Sequence, residues 1–321
     1  MKNFIWIVDD EWPDYAIENS VFSKNAEEYE VKYSKNDDFS KDLESFGKNA
    51  EALLCQISVP VTGEVINQLN RCKVISNYGT GYNNIDVEAA RGKGIPVAYV
   101  PGYCAADIAE YVIGAICHYH RTPAGYTEKI KTGIWGAQAI DKPVHRLSAK
   151  KLFVIGMGSI GREVAAKASC LGLKVIAWSP SLTDSEAARL GVQRAGLEEG
   201  LSTADFISVH IKFNKDTYKF LKYEHFCKMK KNACFINTAR GGVIDQKGLL
   251  RAIEEGRLSG AMLDVLEQEP PDPQDEILGC EKITVTPHIS YYSEEAFQQL
   301  KFRAAMNVVK VLKSEPGADL V

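Results

Sequence analysis

One stretch of the 321-residue sequence restricts the fold more than any other, a glycine turn that joins an apolar run to a helix. The apolar residues 152–155 predict a buried strand, and residues 162–171 are typical of a helix. Between them lies Gly156-Met157-Gly158-Ser159-Ile160-Gly161. In such a turn the first glycine permits a tight bend, the second admits a ligand to the backbone, and the third lets the helix pack on the strand. This order is typical of doubly wound α/β domains.

Short apolar runs alternate with helix-length amphipathic segments along the rest of the chain. The runs that predict strands are residues 4–8, 52–55, 73–76, 152–155, 174–178, 206–209, 233–237, 260–263 and 283–286. Strands separated by helices favour parallel sheets with crossover helices. The sequence therefore predicts an α/β protein, and its length favours two domains over a single core.

A change in pattern near residue 100 indicates a domain boundary. Val100-Pro101-Gly102-Tyr103 interrupts the first α/β run, and a long apolar helix is expected at residues 105–119. Thr122-Pro123 should end that helix, because the residue before a proline is disfavoured in helical geometry. The polar stretch that follows, residues 129–149, contains Trp135, which we expect to be buried against a domain surface.

The end of the chain predicts how the two domains are connected. A last helix is expected from Glu294 to about Lys313, after the final strand. We interpret it as returning to the first domain. Residues 1–100 and 290–321 should then form one smaller α/β domain, and residues 101–289 an inserted second domain that carries the glycine turn.

Composition argues against several classes of protein. Apolar residues make up 45% of the chain and charged residues 25%, which is ordinary for a globular protein. A net charge of −4 argues against a nucleic-acid partner, which calls for a basic face. No apolar run is long enough to predict a membrane span, and residues 4–8 are too short for a signal peptide. Eight cysteines without a Cys-x-x-Cys pair favour reduced thiols in the cytoplasm over disulfides or a zinc site.

The glycine turn predicts a nicotinamide dinucleotide site. The helix that follows it offers amide donors and partial positive charge to a pyrophosphate. Ser179 ends the next predicted strand, about twenty residues further on, where an Asp would favour NAD and a nearby Arg would favour NADP. Ser179 does neither, and Pro180-Ser181-Leu182-Thr183 adds no cation. The choice between NAD and NADP stays open, and NAD is favoured because nothing positive would hold the extra phosphate.

Three further residues predict hydride chemistry on a carboxylic acid. Arg240, Glu269 and His288 each follow a predicted strand, so they should lie at the sheet edge where ligands bind in doubly wound folds. Reduction of a 2-oxo acid needs a clamp for the carboxylate, which Arg240 can supply. It also needs a proton for the forming alkoxide, which His288 can donate. A carboxylate at Glu269 would orient the imidazole and favour its protonated form. Each residue alone is commonly a plain loop residue, but together they indicate a site.

Together these residues resemble one family, the D-isomer-specific 2-hydroxyacid dehydrogenases. The matching stretches are Tyr78-Gly79-Thr80-Gly81-Tyr82-Asn83-Asn84-Ile85-Asp86, residues 100–103, the glycine turn, residues 237–242, residues 264–270 and residues 286–288. The resemblance implies a Rossmann cofactor domain inserted into a smaller flavodoxin-like substrate domain. It also implies closure over the ligands and a homodimer built through the cofactor domain.

The resemblance implies roles for individual residues. Arg240, Glu269 and His288 match the family's catalytic set, and Arg240 and His288 would also bind the substrate. Backbone amides of Gly79, Thr80 and Gly81 match the loop that contacts the substrate carboxylate. The positions expected to bind the cofactor are Gly156, Gly158, Ser159, Ile160, Gly161, Ser179, Thr238 and Asp264.

Some departures keep alternatives open. Residues 291–295 resemble the C-terminal-binding-protein and hydroxypyruvate-reductase side of the family more than phosphoglycerate dehydrogenases. One alternative is therefore a dinucleotide-sensing interaction protein with little turnover. Another is a related enzyme that acts on formate or phosphite, although His288 with Glu269 argues against formate. We expect no metal site, because His118 and His120 would point about 200° apart on a helix.

Overall fold

The computed structural model describes residues 3–9, 11–121, 123–141 and 143–321. The chain divides into two compact units, one of Met1–Tyr103 with Ser293–Val321 and the other of Cys104–Tyr292. Each unit has its own parallel sheet and its own buried core.

The first unit is a five-stranded parallel sheet covered by helices. Its strands are β1 (Phe4–Val8), β2 (Glu30–Ser34), β3 (Ala52–Gln56), β4 (Val74–Tyr78) and β5 (Val97–Ala98). Its helices are α1 (Ala16–Asn25), α2 (Phe39–Ser45), α3 (Gly63–Gln68), α4 (Val87–Gly92) and, from the end of the chain, α13 (Glu294–Leu312). The strand order β2-β1-β3-β4-β5 is the flavodoxin-like order, which confirms the predicted fold of this part of the chain.

Helices cover both faces of this sheet, which explains why β1, β3 and β4 read as continuous apolar runs. On one face α1 and α13 pack on the sheet through Phe22, Leu300 and Val308. On the other face α2, α3 and α4 bury side chains such as Leu43 and Ile66. Helix α13 begins where the Ser293 hydroxyl accepts a hydrogen bond of 3.0 Å from the Ala296 amide.

The second unit is a seven-stranded parallel sheet. Its strands are β6 (Lys151–Ile155), β7 (Lys174–Trp178), β8 (Gln193–Arg194), β9 (Phe206–Val209), β10 (Cys234–Asn237), β11 (Gly260–Leu263) and β12 (Ile283–Val285). Its helices are α5 (Ala105–Arg121), α6 (Pro123–Lys131), α7 (Ser159–Cys170), α8 (Asp184–Arg189), α9 (Leu197–Thr203), α10 (Tyr223–Cys227), α11 (Gln246–Glu254) and α12 (Glu276–Gly279).

The strand order in this sheet is β12-β11-β10-β9-β6-β7-β8, a doubly wound Rossmann order, as predicted. The order reverses between β6 and β9, whose residues Ile155 and Val209 are partners in register. Ligands of doubly wound folds bind at the carboxyl ends of the strands near such a reversal. The glycine turn and the loops after β7, β9, β10, β11 and β12 all lie at this edge.

The structure also corrects parts of the prediction. All nine predicted strands are present, but β2, β5 and β8 were missed because they are short or polar strands at sheet edges. Helix α7 begins at Ser159, three residues before the predicted start. Helix α5 ends at Arg121 and a separate helix begins at Pro123, while Thr122 lies outside the described residues. The predicted burial of Trp135 was wrong: the residue is 76% exposed within this chain, in the connection between α6 and β6.

Candidate active site

The glycine turn is required by close contacts between backbone segments. Gly156 adopts a φ of +99°, and a Cβ there would lie 2.5 Å from the His210 carbonyl oxygen. A Cβ on Gly161 would lie 2.0 Å from the Gly156 carbonyl oxygen. These two glycines therefore let the turn pass beside β9 and let α7 pack against its own turn. No part of the described chain lies within 4 Å of a Cβ position on Gly158, so this side of the turn can be approached from outside.

Residues 179–183, directly after β7, contain neither an acid nor a cation. Ser179 follows Trp178, which stacks on Phe220 with ring centroids 5.4 Å apart. The nearest basic group of the turn helix, Arg162, donates from Nη2 to Glu186 Oε1 at 2.5 Å and from Nε to the Met157 carbonyl oxygen at 3.0 Å. Its charge is thus already paired with a carboxylate.

The loop after β10 holds Arg240 through its backbone. Asn237 donates from Nδ2 to the Arg240 carbonyl oxygen at 3.1 Å, and its Oδ1 accepts from the Ala239 amide at 3.0 Å. Gly241 follows because a Cβ there would lie 1.9 Å from the Leu266 carbonyl carbon. This close approach brings the loops after β10 and β11 together, so that the half-buried Arg240 acts electrostatically on Glu269.

His288 and Glu269 form a close pair at the ends of neighbouring strands. His288 Nδ1 lies 2.7 Å from Glu269 Oε2, and Glu269 Oε1 accepts from the Leu266 amide at 2.8 Å. Desolvation by burial raises the pKa of Glu269, but the hydrogen bond and charge of His288, the Leu266 amide and the charge of Arg240 together lower it below its ordinary value. Glu269 is therefore held as a carboxylate, and His288 Nδ1 donates to it.

Asp264 holds the His288 loop in place, a role that sequence reasoning missed. Its Oδ1 accepts from the Thr286 hydroxyl at 2.6 Å and from the Ile289 amide at 2.9 Å, and its Oδ2 accepts from the Ser290 amide at 2.8 Å. These bonds support His288 in a left-handed backbone conformation with a φ of 55°. A carboxylate offers about four acceptor positions, and these bonds use three of those of the buried Asp264.

Tyr111 extends this network from helix α5. Its hydroxyl lies 2.6 Å from Thr286 Oγ1. Because the Thr286 hydrogen is used on Asp264, Tyr111 is the donor in this contact. The signal in the sequence was weak, since a tyrosine in an apolar helix is more often a core residue with a polar tip.

His210, after β9, is a neutral histidine. Its Nε2 lies 2.8 Å from Ser208 Oγ, and burial lowers the pKa of the imidazole to about 3. It therefore carries no charge near neutral pH. Its carbonyl oxygen is the atom that excludes a side chain at Gly156.

The first unit contains the remaining predicted loop, residues 79–81, after β4. The Gly79 carbonyl oxygen accepts from the Val100 amide at 2.9 Å, and the Thr80 hydroxyl donates to the Val100 carbonyl oxygen at 2.9 Å. Asn77 donates from Nδ2 to the Gly81 carbonyl oxygen at 2.7 Å. Within the described residues, the amides of Thr80 and Gly81 donate to no acceptor.

The predicted residues thus fall into two groups. Arg240, Asp264, Glu269 and His288 meet at the carboxyl edge of the second unit, on the same edge as the glycine turn. The loop of residues 79–81 belongs to the first unit and lies at the carboxyl edge of that unit's own sheet.

Comparison with known proteins decides the family. Residues 113–290 match the model of the D-isomer specific 2-hydroxyacid dehydrogenase, NAD binding domain. The chain is 33% identical over 282 residues to a glyoxylate reductase of Thermofilum pendens, which covers 85% of this chain and 82% of that protein. The chain belongs to the D-isomer specific 2-hydroxyacid dehydrogenase family.

Other known proteins are also similar to the chain in sequence or structure. A D-3-phosphoglycerate dehydrogenase of Methanocaldococcus jannaschii is 35% identical over 275 residues, 85% of this chain, but the chain spans about half (52%) of that protein. The structure of a D-lactate dehydrogenase from Aquifex aeolicus with NAD and lactic acid superimposes with a TM-score of 0.86 at 25% identity, covering 97% of this chain and 96% of that one. An acyclic imino acid reductase with NADPH and D-Arg superimposes with a TM-score of 0.83 at 25% identity, covering 99% of both chains.

Membership makes the chain an oxidoreductase that acts on a CH–OH group with NAD or NADP. The second unit fits such a cofactor at several described atoms. The first amides of α7, at Ser159, Ile160 and Gly161, have no partner within the helix, and the side of the turn at Gly158 is open. The Thr238 hydroxyl is buried and finds no hydrogen-bond partner among the described residues, as expected of a group that binds a ligand.

None of the described helices is both long and apolar enough to cross a membrane.

Proposed function

We propose that the protein reduces small 2-oxo acids to D-2-hydroxy acids, and catalyses the reverse oxidation, with His288 as the general acid and base. The observation that carries this proposal is the 2.7 Å contact between His288 and Glu269, beside Arg240 at the carboxyl edge of the Rossmann sheet. The first unit would serve as the substrate domain and the second as the cofactor domain. When bound, the nicotinamide cofactor supplies or receives the hydride.

The proton is handled by His288. Because Nδ1 donates to Glu269, the other ring nitrogen, Nε2, faces the rest of the site and donates to the substrate oxygen as C2 is reduced. The Glu269 carboxylate stabilises the charged imidazole before the proton leaves. In oxidation the same Nε2 accepts the hydroxyl proton. Asp264 contributes by fixing the loop from which His288 projects.

We assign the substrate carboxylate to Arg240 and to the backbone amides of residues 79–81, as the family resemblance implies. A guanidinium offers two parallel N–H donors that match the two oxygens of a carboxylate. The amides of Thr80 and Gly81, which donate to nothing else in the described chain, are the donors we assign to the same group. Gly79, Thr80, Gly81, Arg240 and His288 would therefore hold the acid, while Arg240, Glu269 and His288 carry out the reaction.

The cofactor would lie along the glycine turn, with NAD favoured over NADP. Gly156, Gly158, Ser159, Ile160 and Gly161 would contact the pyrophosphate. Thr238 and the remaining acceptor position of Asp264 would contact the nicotinamide end, and Ser179 would lie at the adenine ribose. The preference for NAD rests on two observations: residues 179–183, directly after β7, contain no cation, and Arg162 is engaged by Glu186.

A screen of 2-oxo acids with NADH and NADPH tests the function directly. Glyoxylate, pyruvate, hydroxypyruvate and longer 2-oxo acids should be compared by kcat/KM, with Glu269→Gln as a variant that keeps the shape of the site. We expect turnover of at least one short acid and a large loss in Glu269→Gln. If the cofactor binds but no acid is reduced, the enzyme proposal fails and a dinucleotide-sensing interaction protein becomes the better explanation.

We also propose that the chain forms a homodimer through its second unit and acts in the cytoplasm. An exposed apolar segment supports the dimer: Ile130, Ile134, Trp135 and Ile140 are 50%, 37%, 76% and 50% exposed. Light scattering of the wild type and of Trp135→Glu should give a dimer and a monomer, respectively; a monomeric wild type would contradict the proposal. The eight free cysteines support a reducing compartment.

A further inference from the structure

The first unit buries an ion pair that the reaction described above does not use. Lys301, on α13, is 1% exposed, and Glu18, on α1, is 0% exposed; Nζ and Oε2 lie 3.4 Å apart. Lys301 also donates to the Asp14 carbonyl oxygen at 2.5 Å. Removing two charges from water is costly and is seldom the best way to stabilise a core, so a buried pair calls for another explanation.

Aromatic rings enclose the ammonium group on its remaining sides. Nζ lies 5.3 Å from the ring centroid of Trp12, 5.7 Å from Tyr15 and 5.0 Å from Phe297. The negative faces of aromatic rings attract cations, so the lysine is held in one position rather than left to choose among rotamers. Together with Glu18, these rings make Lys301 a fixed point between α1 and α13.

The pair reaches the loop of residues 79–81 through Tyr78. The Tyr78 hydroxyl donates to Glu18 Oε1 at 2.8 Å, and the Trp12 ring packs edge-on against the Tyr78 ring at 4.3 Å. Tyr78 is the last residue of β4, so the next peptide begins the loop. Its neighbour Asn77 points to the opposite face of the sheet and binds the Gly81 carbonyl oxygen. Contacts on both faces of the sheet therefore fix the end of β4.

We propose that the Lys301–Glu18 pair, acting through the Tyr78 hydroxyl, is a positioning device that sets the backbone of residues 79–81 for binding the substrate carboxylate. The proposal rests on the function proposed above, because it assigns the Thr80 and Gly81 amides to that carboxylate. The three residues touch neither substrate nor cofactor; they fix the direction in which the two amides point.

The same unit offers a matched control at the amino ends of its strands. Glu51 precedes β3 at the amino ends of the strands, is buried, and pairs with Arg71 and, at 2.7 Å, with Lys73. Glu18→Gln and Glu51→Gln therefore make the same chemical change to a buried, paired carboxylate of one unit. Only the first lies on the path to the loop.

The experiment compares Tyr78→Phe, Glu18→Gln, Lys301→Met and Glu51→Gln in steady-state kinetics with the preferred 2-oxo acid. Loss of one buried hydrogen bond to a charged group should raise KM for the acid about tenfold in the first two variants. We expect kcat and the cofactor Kd to change less than about twofold in those variants, and KM to stay unchanged in Glu51→Gln. Should Lys301→Met fail to fold, Tyr78→Phe still tests the path, because it removes a single hydroxyl.

A second readout separates this proposal from the proposed function. The Val100 amide, which donates to the Gly79 carbonyl oxygen, should exchange its hydrogen faster in Tyr78→Phe and Glu18→Gln than in Glu51→Gln. If the wild type reduces no 2-oxo acid, the proposed function fails, and amide exchange alone decides whether the pair anchors the loop. The proposal is overturned if KM for the acid is unchanged in both Tyr78→Phe and Glu18→Gln, or if it rises equally in Glu51→Gln. Unchanged exchange of the Val100 amide in Tyr78→Phe and Glu18→Gln overturns it as well.

Discussion

Each of the two units pairs a nitrogen group with a carboxylate at the carboxyl edge of its sheet, and the two pairs differ most in exposure. The side chains of His288 and Glu269 are 21% and 37% exposed. Those of Lys301 and Glu18 are 1% and 0% exposed. The first pair can therefore exchange a proton with a bound molecule, whereas the second is closed to one.

This difference separates chemistry from positioning. A half-exposed imidazole keeps one ring nitrogen for a substrate while the other is held by a carboxylate. A buried ammonium surrounded by rings has all its directions occupied, so its contribution is to fix the elements around it. A nitrogen group paired with a carboxylate can thus serve in proton transfer or in positioning, and its burial decides between these two roles.

Replacing His288, the histidine of the more exposed pair, should have the largest effect. His288→Ala should lower the rate of 2-oxo acid reduction by at least about a hundredfold, the usual contribution of a general acid, while the cofactor Kd stays nearly constant. Single-turnover reduction at saturating cofactor measures this step. His225→Ala, a histidine of the same unit whose Nδ1 accepts from the Lys222 amide, is the control and should react at the wild-type rate. An unchanged rate in His288→Ala would remove His288 from its role.

The buried cation should affect stability rather than chemistry. Lys301→Met leaves Glu18 in the core without its partner, and breaking a buried pair in this way costs about 3–5 kcal/mol of unfolding free energy. In contrast, His288→Ala should cost less than about 1 kcal/mol, as expected for a half-exposed pair. Urea unfolding of both variants checks the contrast. Equal losses in the two variants would mean that burial does not distinguish the pairs.

The exposed pair was predictable from the sequence, and the buried pair was not. His288, Glu269 and Arg240 follow apolar strands within recognisable motifs, and parallel strands bring their carboxyl ends to one edge. Lys301 and Glu18 lie in two helices far apart in sequence, where a lysine or a glutamate is most often exposed to solvent. Only the packing of α1 on α13 brings them together. The sequence assigned Asp264 to the cofactor. Its hydrogen bonds to the His288 loop became visible only in the structure.

His210 extends the comparison to a half-buried histidine whose contact at Nε2 is with a neutral hydroxyl, that of Ser208. Its pKa of about 3 lies below the ordinary 6.5 because burial disfavours the charged imidazole. As pH falls below 6.5 the unfolded chain takes up a proton that the folded chain refuses, so stability should decrease by up to about 1.4 kcal/mol per pH unit. Urea midpoints from pH 6.5 to 5 measure this slope.

The variant His210→Asn isolates this contribution, because asparagine keeps a polar side chain beside Ser208 but does not titrate. Its unfolding free energy should change less with pH than that of the wild type over the same range. Identical slopes would show that His210 is protonated equally in the folded and unfolded chains. The surroundings of His210 would then have no effect on its protonation.

The smallest effect is expected at Ser179, because residues 179–183 after β7 carry no charge. Ser179→Asp should shift the ratio of kcat/KM for NADH over NADPH by about tenfold toward NADH, because an added carboxylate accepts ribose hydroxyls and repels a 2′-phosphate. Steady-state kinetics with both cofactors measures the ratio. Ser202→Asp on α9, an exposed position, is the matched control for the added charge and should leave the ratio unchanged. If the NADH/NADPH ratio does not change in Ser179→Asp, or changes equally in Ser202→Asp, the ribose is recognised elsewhere. The pairing of Arg162 with Glu186 is then the next determinant to test.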